Sequence, residues 1–114
     1  MNDSGKSGEN AAAEYLKHKG YSIEAKNFIC RYGEIDIVAS DDEYIVFVEV
    51  KTRKPNSLVS GAQSVTDNKQ LRIKRTAQIY LQSHISGLQP RFDVIEVECE
   101  NEKYVISNHI ENAF

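Results

Sequence analysis

The chain has 114 residues, 40% hydrophobic and 27% charged, a length and composition that suit one domain over residues 1–114 and give no sign of a second. No apolar run approaches a membrane span and the first nine residues lack the apolar core of a signal peptide, so no membrane partner is expected. Two cysteines, Cys30 and Cys99, supply neither a disulfide framework nor a zinc-site spacing, and a cytoplasmic location is expected.

The formal net charge of −3 is unevenly spread. Residues 1–50 carry ten acids and five bases, residues 51–75 one acid and seven bases, and residues 76–114 six acids and two bases. A middle segment at +6 in an acidic chain suits either a polyanion-binding surface or a solvated helix face.

In chain order, Ala11, Ala12 and Ala13 with a stop at Gly20 predict a first helix over 7–19. Residues 21–30, 34–39 and 44–51 predict three strands of an antiparallel meander, turned through Arg31-Tyr32-Gly33 and through 40–43. Residues 52–66 are polar, carry Pro55 and Gly61, and predict a mobile loop. Asp67 is the expected N-cap of a second helix reaching His84, and 91–99 and 104–109 predict two further strands.

Alternation along the strands puts Ile35, Ile37 and Ala39 on one face and Glu34, Asp36 and Val38 on the other. In the following strand Val46, Val48 and Val50 share one face, and Ile45, Phe47, Glu49 and Lys51 the opposite one. Antiparallel pairing sets the start of one strand beside the end of the next, which brings Asp36 to Glu49 and Lys51. Two carboxylates in a partly apolar setting repel each other at neutral pH, and a hard divalent cation such as Mg²⁺ or Mn²⁺ removes the conflict. A lysine two residues beyond the second acid can orient a water at the metal or help to deprotonate it. The alternative for Glu49 and Lys51 is an exposed pair at a strand end.

At helical spacing Glu9 shares a stripe with Ala12, Ala13 and Leu16, so it either faces inward or complements the helix dipole. Lys69 leads the stripe of Ile73, Ala77 and Tyr80, flanked by Arg72, and either reaches a phosphate or snorkels over the core. Arg53, Lys54, Lys69 and Arg72 are the candidate nucleic-acid contacts. His18, His84 and His109 have no metal-ligand spacing, and neither a P-loop nor a dinucleotide-binding glycine motif is present.

These residues fall into an ordered set: Gly8-Glu9, Ala12, Tyr15-Leu16, Asn27, Cys30-Arg31, Gly33-Glu34-Ile35-Asp36, Val46 through Arg53, Val65, Lys69, Arg91-Phe92-Asp93-Val94 and Ala113-Phe114. The set resembles the YraN family of small bacterial proteins along nearly the whole chain. The Asp36…Glu49-x-Lys51 core is similar to the PD-(D/E)xK signature of restriction-endonuclease-like nucleases, a group that includes Holliday-junction resolvases. The resemblance implies an α/β fold, a restriction-endonuclease-like mixed β-sheet flanked by α-helices, and Mg²⁺-assisted phosphodiester hydrolysis. It implies Asp36 and Glu49 as metal ligands, Lys51 as the water-positioning lysine and Glu9 as a further catalytic acid at the metal. The signature's proline is replaced by Ile35, a position that ligates nothing. The expected activity is a metal-dependent endonuclease, possible as a homodimer, acting on structured or branched DNA in repair or recombination. The alternatives are a non-catalytic nucleic-acid-binding module and an interaction subunit of a DNA-processing complex.

Overall fold

Two helices and five strands follow one another as α1 (Ser4–His18), β1 (Ser22–Cys30), β2 (Gly33–Ser40), β3 (Tyr44–Arg53), α2 (Asp67–Ser83), β4 (Gln89–Glu100) and β5 (Lys103–Ile110). The structure is a computed structural model that describes residues 4–55 and 65–114. Most of the mobile loop expected at 52–66 therefore lies outside the described residues. The loop's first two residues belong to β3, because Thr52 and Arg53 go on pairing with Val97 and Glu98 of β4. The N-cap of α2 is Thr66 and not Asp67: Thr66 is extended and its Oγ1 accepts from the Lys69 amide at 3.3 Å, while Asp67 lies in the first turn, where its charge suits the helix dipole.

The strands lie in sequence order in a single sheet. β1, β2 and β3 form the expected antiparallel meander, α2 carries the chain across to β4, which runs parallel to β3, and β5 returns antiparallel. A mixed five-stranded sheet with two helices is an α/β fold, consistent with the restriction-endonuclease-like architecture.

Alternation in the central strands sorts the core into two layers. Ala12, Ala13 and Leu16 of α1 pack with Ile37, Ala39, Val46, Val48, Ile95 and Val97. On the other face Ile73, Ala77 and Tyr80 of α2 pack with Val38, Ile45, Phe47 and Val94. A strand covered on both faces needs apolar residues at successive positions, which the run Ile45 to Val48 supplies.

On the α1 face, at the beginning of β4, a buried polar network ties the elements together. Asp93 is fully buried and accepts from Arg91 Nε at 2.9 Å, a second Arg91 nitrogen at 2.8 Å and the Asn112 amide at 3.0 Å. It also accepts from His109 Nε2 at 2.7 Å, and the other ring nitrogen, Nδ1, is hydrogen-bonded with the Tyr15 hydroxyl at 2.9 Å. Burial alone would push the Asp93 carboxyl up, but the His109 and Arg91 hydrogen bonds outweigh it and hold the group below its ordinary value.

Candidate functional site

The site begins where two strands part. The β2–β3 ladder runs from Ser40 opposite Ile45 to Ile37 opposite Val48 and ends there. On the other side of β2, the pairs Lys26 with Ile37 and Phe28 with Ile35 leave Asn27 across from Asp36, and Asn27 has a positive φ of 54°. The break changes the pattern expected for β2. Ile35 packs with Val38 against α2, whereas Ile37 and Ala39 face α1, so Ile35 does not share a face with Ile37. Leaving the ladder at Asp36 removes β2 as a partner for the next stretch of β3, and the Asp36 side chain takes over: its Oδ2 accepts from the Val50 amide at 2.8 Å.

Asp36 and Glu49 then line one cleft of about 220 Å³, together with Gly33, Glu34 and, from α2, Lys69, Arg72 and Ile73. Glu49 reaches it by the alternation that also sends Ile45 and Phe47 to the α2 face. Both acids are buried. Burial, and then the Glu49 charge, push the Asp36 carboxyl up to about 7, with the Val50 amide opposing.

Two ammonium groups compete for Glu49. Lys69 Nζ lies 2.8 Å from its Oε1 and Lys51 Nζ 3.5 Å from the same atom. Burial works against both charges, but the Glu49 carboxylate outweighs it at Lys69, which is held above the usual lysine value. Lys51 is held below it, by burial and by the neighbouring Lys69.

Glu9 approaches from α1. Gly8 brings the helix onto the end of β3: a side chain at this position would run into Thr52 Oγ1 and stand 3.2 Å from Thr52 Cβ. Glu9 lies in the second turn of α1, past the first-turn positions that best complement a helix dipole. Burial raises the pKa of its carboxyl, and the Glu34 charge adds to this while Asn27 opposes it.

The four candidate nucleic-acid contacts separate. Lys69 and Arg72 line the cleft, Lys54 is exposed past the end of β3, and Arg53 is taken up in an ion pair with Glu96 at 2.9 Å. Glu34, a further cleft acid, is not among the sequence candidates, although its two-residue spacing from Asp36 is a signal that could have found it.

Among the described residues, no three His, Cys, Asp or Glu side chains form a group that could hold a metal ion. Of the three acids that line the cleft, Glu34 is exposed and the facing pair Asp36 and Glu49 is buried. Two hard carboxylate oxygens fit Mg²⁺ or Mn²⁺, which complete their shells with water and substrate oxygens. The raised pKa of Asp36 fits the same reading, since burial and then the Glu49 charge penalise its ionised form and a cation there would favour it. No helix among the described residues is long and apolar enough to cross a membrane.

A family model described as Uncharacterised protein family UPF0102 matches residues 8–97, a span that holds Glu9, Asp36, Glu49, Lys51 and Lys69. The chain is 47% identical to the UPF0102 protein of Caldanaerobacter subterraneus subsp. tengcongensis, over 96% of this chain and 93% of that one. It is 48% identical to the UPF0102 protein of Alkaliphilus oremlandii, over 94% of this chain and 93% of that one. With the UPF0102 protein of Clostridium perfringens it shares 47% identity, over 94% and 89%.

Proposed function

This chain belongs to the UPF0102 family, the YraN family, and we propose that it is a metal-dependent endonuclease that hydrolyses phosphodiester bonds in structured or branched DNA. The observation that carries the reading is the cleft itself. Two carboxylates from parting strands, Asp36 and Glu49, face two cations from α2, Lys69 and Arg72, with Lys51 beside Glu49. A scissile phosphate needs cations for its oxygens, hard acidic ligands for a divalent ion and a base for the attacking water.

Asp36 and Glu49 would hold Mg²⁺ or Mn²⁺, with Glu9 of α1 a further acid near Asp36. When bound, the ion would polarise the phosphate and lower the pKa of water. The chain's own groups do the rest. Lys69 and Arg72 bind the non-bridging oxygens of the phosphate and orient it. Lys51, with its Nζ 3.5 Å from Glu49 Oε1, positions the attacking water and helps to deprotonate it. Symmetric cutting of a branch requires two such clefts, so we include a homodimer in the proposal, with a role in DNA repair or recombination.

One observation favours a second reading. Lys69 already neutralises Glu49 at 2.8 Å without any metal, as it would in a nucleic-acid-binding module that does not cut. Labelled duplex, single-stranded, flap and four-way-junction DNA, incubated with Mg²⁺ or Mn²⁺, separate the two. Cutting by the wild type that both Glu49→Ala and Lys51→Ala abolish establishes the nuclease. Binding without cutting of any of these substrates selects the module.

A further inference from the structure

Beyond the cleft, the turn between β1 and β2 carries a feature that the nuclease reading does not use. Tyr32 stands at this turn with two arginines against it. The Arg31 guanidinium lies 4.9 Å from the ring centre and donates to the Tyr32 hydroxyl at 2.9 Å, and the Arg75 guanidinium of α2 lies 5.9 Å from the ring centre. These three residues, with Gln78, Ile79 and Gln82, line an open shelf of about 580 Å³ that contains no acid.

The turn is fixed to α2, not free. Cys30 Sγ accepts from the Tyr32 amide at 3.4 Å and donates to Thr76 Oγ1 at 3.6 Å. Thr76 in turn donates to the Arg72 carbonyl at 2.8 Å. Gly33 lies against the same turn of α2, close enough that a Cβ would stand 3.5 Å from Thr76 Oγ1 and 3.7 Å from Arg72 Cβ. The cleft lies to one side of this junction, at Lys69 and Arg72, and the shelf to the other, at Arg75 and Gln78. The nearest residues of the two sites, Arg72 of the cleft and Arg75 of the shelf, are three residues apart on α2, roughly 4.5 Å of helix rise, so the two sites adjoin along one helix.

Charge supports an anionic ligand. Arg31, Arg72 and Arg75 form no ion pair with any described residue, although the chain is acidic as a whole, with a net charge of −3. Two of these guanidinium groups, Arg31 and Arg75, stand against one aromatic ring and the third, Arg72, lines the adjoining cleft, a set that matches a nucleotide, which offers a phosphate to the cations and a π-face to the ring. In a continuous duplex the base faces are covered by their neighbours, so only an unpaired base can stack there.

We propose that Tyr32, Arg31 and Arg75 form a stacking subsite for an unpaired nucleotide adjoining the phosphate in the cleft. The substrate is then DNA with a single-stranded segment beside the cutting position, an inference that rests on the reading of the cleft as a DNA-binding site. Gln78 and Gln82 supply amide groups on the same shelf for the base edges.

Fluorescence anisotropy in EDTA, where no cutting can occur, tests this with labelled oligothymidine and a blunt duplex of equal phosphate number. Tyr32→Ala should weaken oligothymidine binding by about tenfold and leave the duplex within about twofold, since one base–aromatic stack accounts for a difference of that order. Tyr32→Phe, which keeps the ring, should stay within about threefold of wild type for both. The exposed pair Arg31→Gln with Arg75→Gln carries no packing burden and should weaken oligothymidine more than duplex, which keeps the test valid if Tyr32→Ala is unstable. Equal losses for both DNAs, or none for either, would overturn the subsite while leaving the cleft reading standing. A wild-type protein that binds neither DNA overturns both.

Discussion

Asp36 Oδ2 accepts the Val50 amide at 2.8 Å, across the point where β2 has left the β3 ladder. The carboxyl therefore has a structural task, closing an open backbone position, and a chemical one, facing Glu49. These demands conflict, because burial and the Glu49 charge both penalise the ionised form and raise the group to about 7. The sign of the stability effect follows. An acid whose folded pKa lies above its unfolded value of about 3.9 contributes nothing unfavourable below that value. It costs stability progressively as pH rises through 7, and the cost is constant above. Asp36→Asn keeps an acceptor for the Val50 amide without the charge. Without divalent ions at pH 8 it should melt higher than wild type, by on the order of 2 kcal/mol, with the advantage shrinking toward pH 4. A melting curve lowered equally at both pH values would show that the charge is not what burdens the site.

Lys69 Nζ is 2.8 Å from Glu49 Oε1, in the position of a counter-ion for a buried acid. Removing one partner of such a pair leaves an uncompensated charge, although Lys51 at 3.5 Å remains. Lys69→Met should lower stability in EDTA by about 1–3 kcal/mol. It should also tighten Mn²⁺ binding, because the ammonium no longer competes for the same oxygen. Calorimetric titration with Mn²⁺, alongside melts with and without the ion, measures both. Weaker Mn²⁺ binding in the variant would mean that Lys69 holds Glu49 for the metal and does not compete with it.

The sheet was legible because its code is local: alternation and turn residues give the meander, and the continuous run Ile45 to Val48 marks a strand buried on both faces. The same alternation placed Glu49 correctly on the Phe47 face and failed at Ile35, since a strand that leaves its ladder no longer obeys a period of two. Across from that break stands Asn27 with its left-handed backbone, a residue type that tolerates positive φ, but one asparagine in a strand does not announce a split. Arg53 shows the other limit. Its basic charge made it a candidate DNA contact, and the structure adds an ion pair with Glu96, two residues before its ladder partner Glu98 in β4, a relationship between residues far apart in the chain that composition cannot express.

Gly8 is a position where the fold needs the absence of a side chain. Alanine has the higher helix propensity by about 1 kcal/mol, yet its Cβ would overlap Thr52 Oγ1. Gly8→Ala should therefore destabilise the protein by about 1–3 kcal/mol and pull Glu9 away from Asp36. Thr52→Ala removes the obstructing hydroxyl, so the double variant should recover most of the loss. A double-mutant cycle with a coupling energy of about 1 kcal/mol or more is expected, and strict additivity would place the close contact elsewhere.

The Arg91-Phe92-Asp93-Val94 segment, part of the ordered set that carries the family resemblance, serves as scaffold in the structure. Asp93 is fully buried on the α1 face, on the opposite side of the sheet from the cleft, and every bond it accepts comes from Arg91, His109 or the Asn112 amide. Asp93→Asn removes the charge that pairs with a buried guanidinium and also loses acceptor capacity, so it should cost about 3–5 kcal/mol. The pH dependence runs opposite to that of Asp36. With the folded pKa held below its ordinary value, the stabilisation is present above the unfolded pKa of about 3.9 and is lost as pH falls through the folded value. Melts of wild type and Asp93→Asn should thus differ most at pH 6–8 and converge in acid. DNA affinity per folded molecule should be unchanged, because none of these groups lines the cleft. A variant that folds normally but loses DNA binding would move Asp93 from the scaffold into the site.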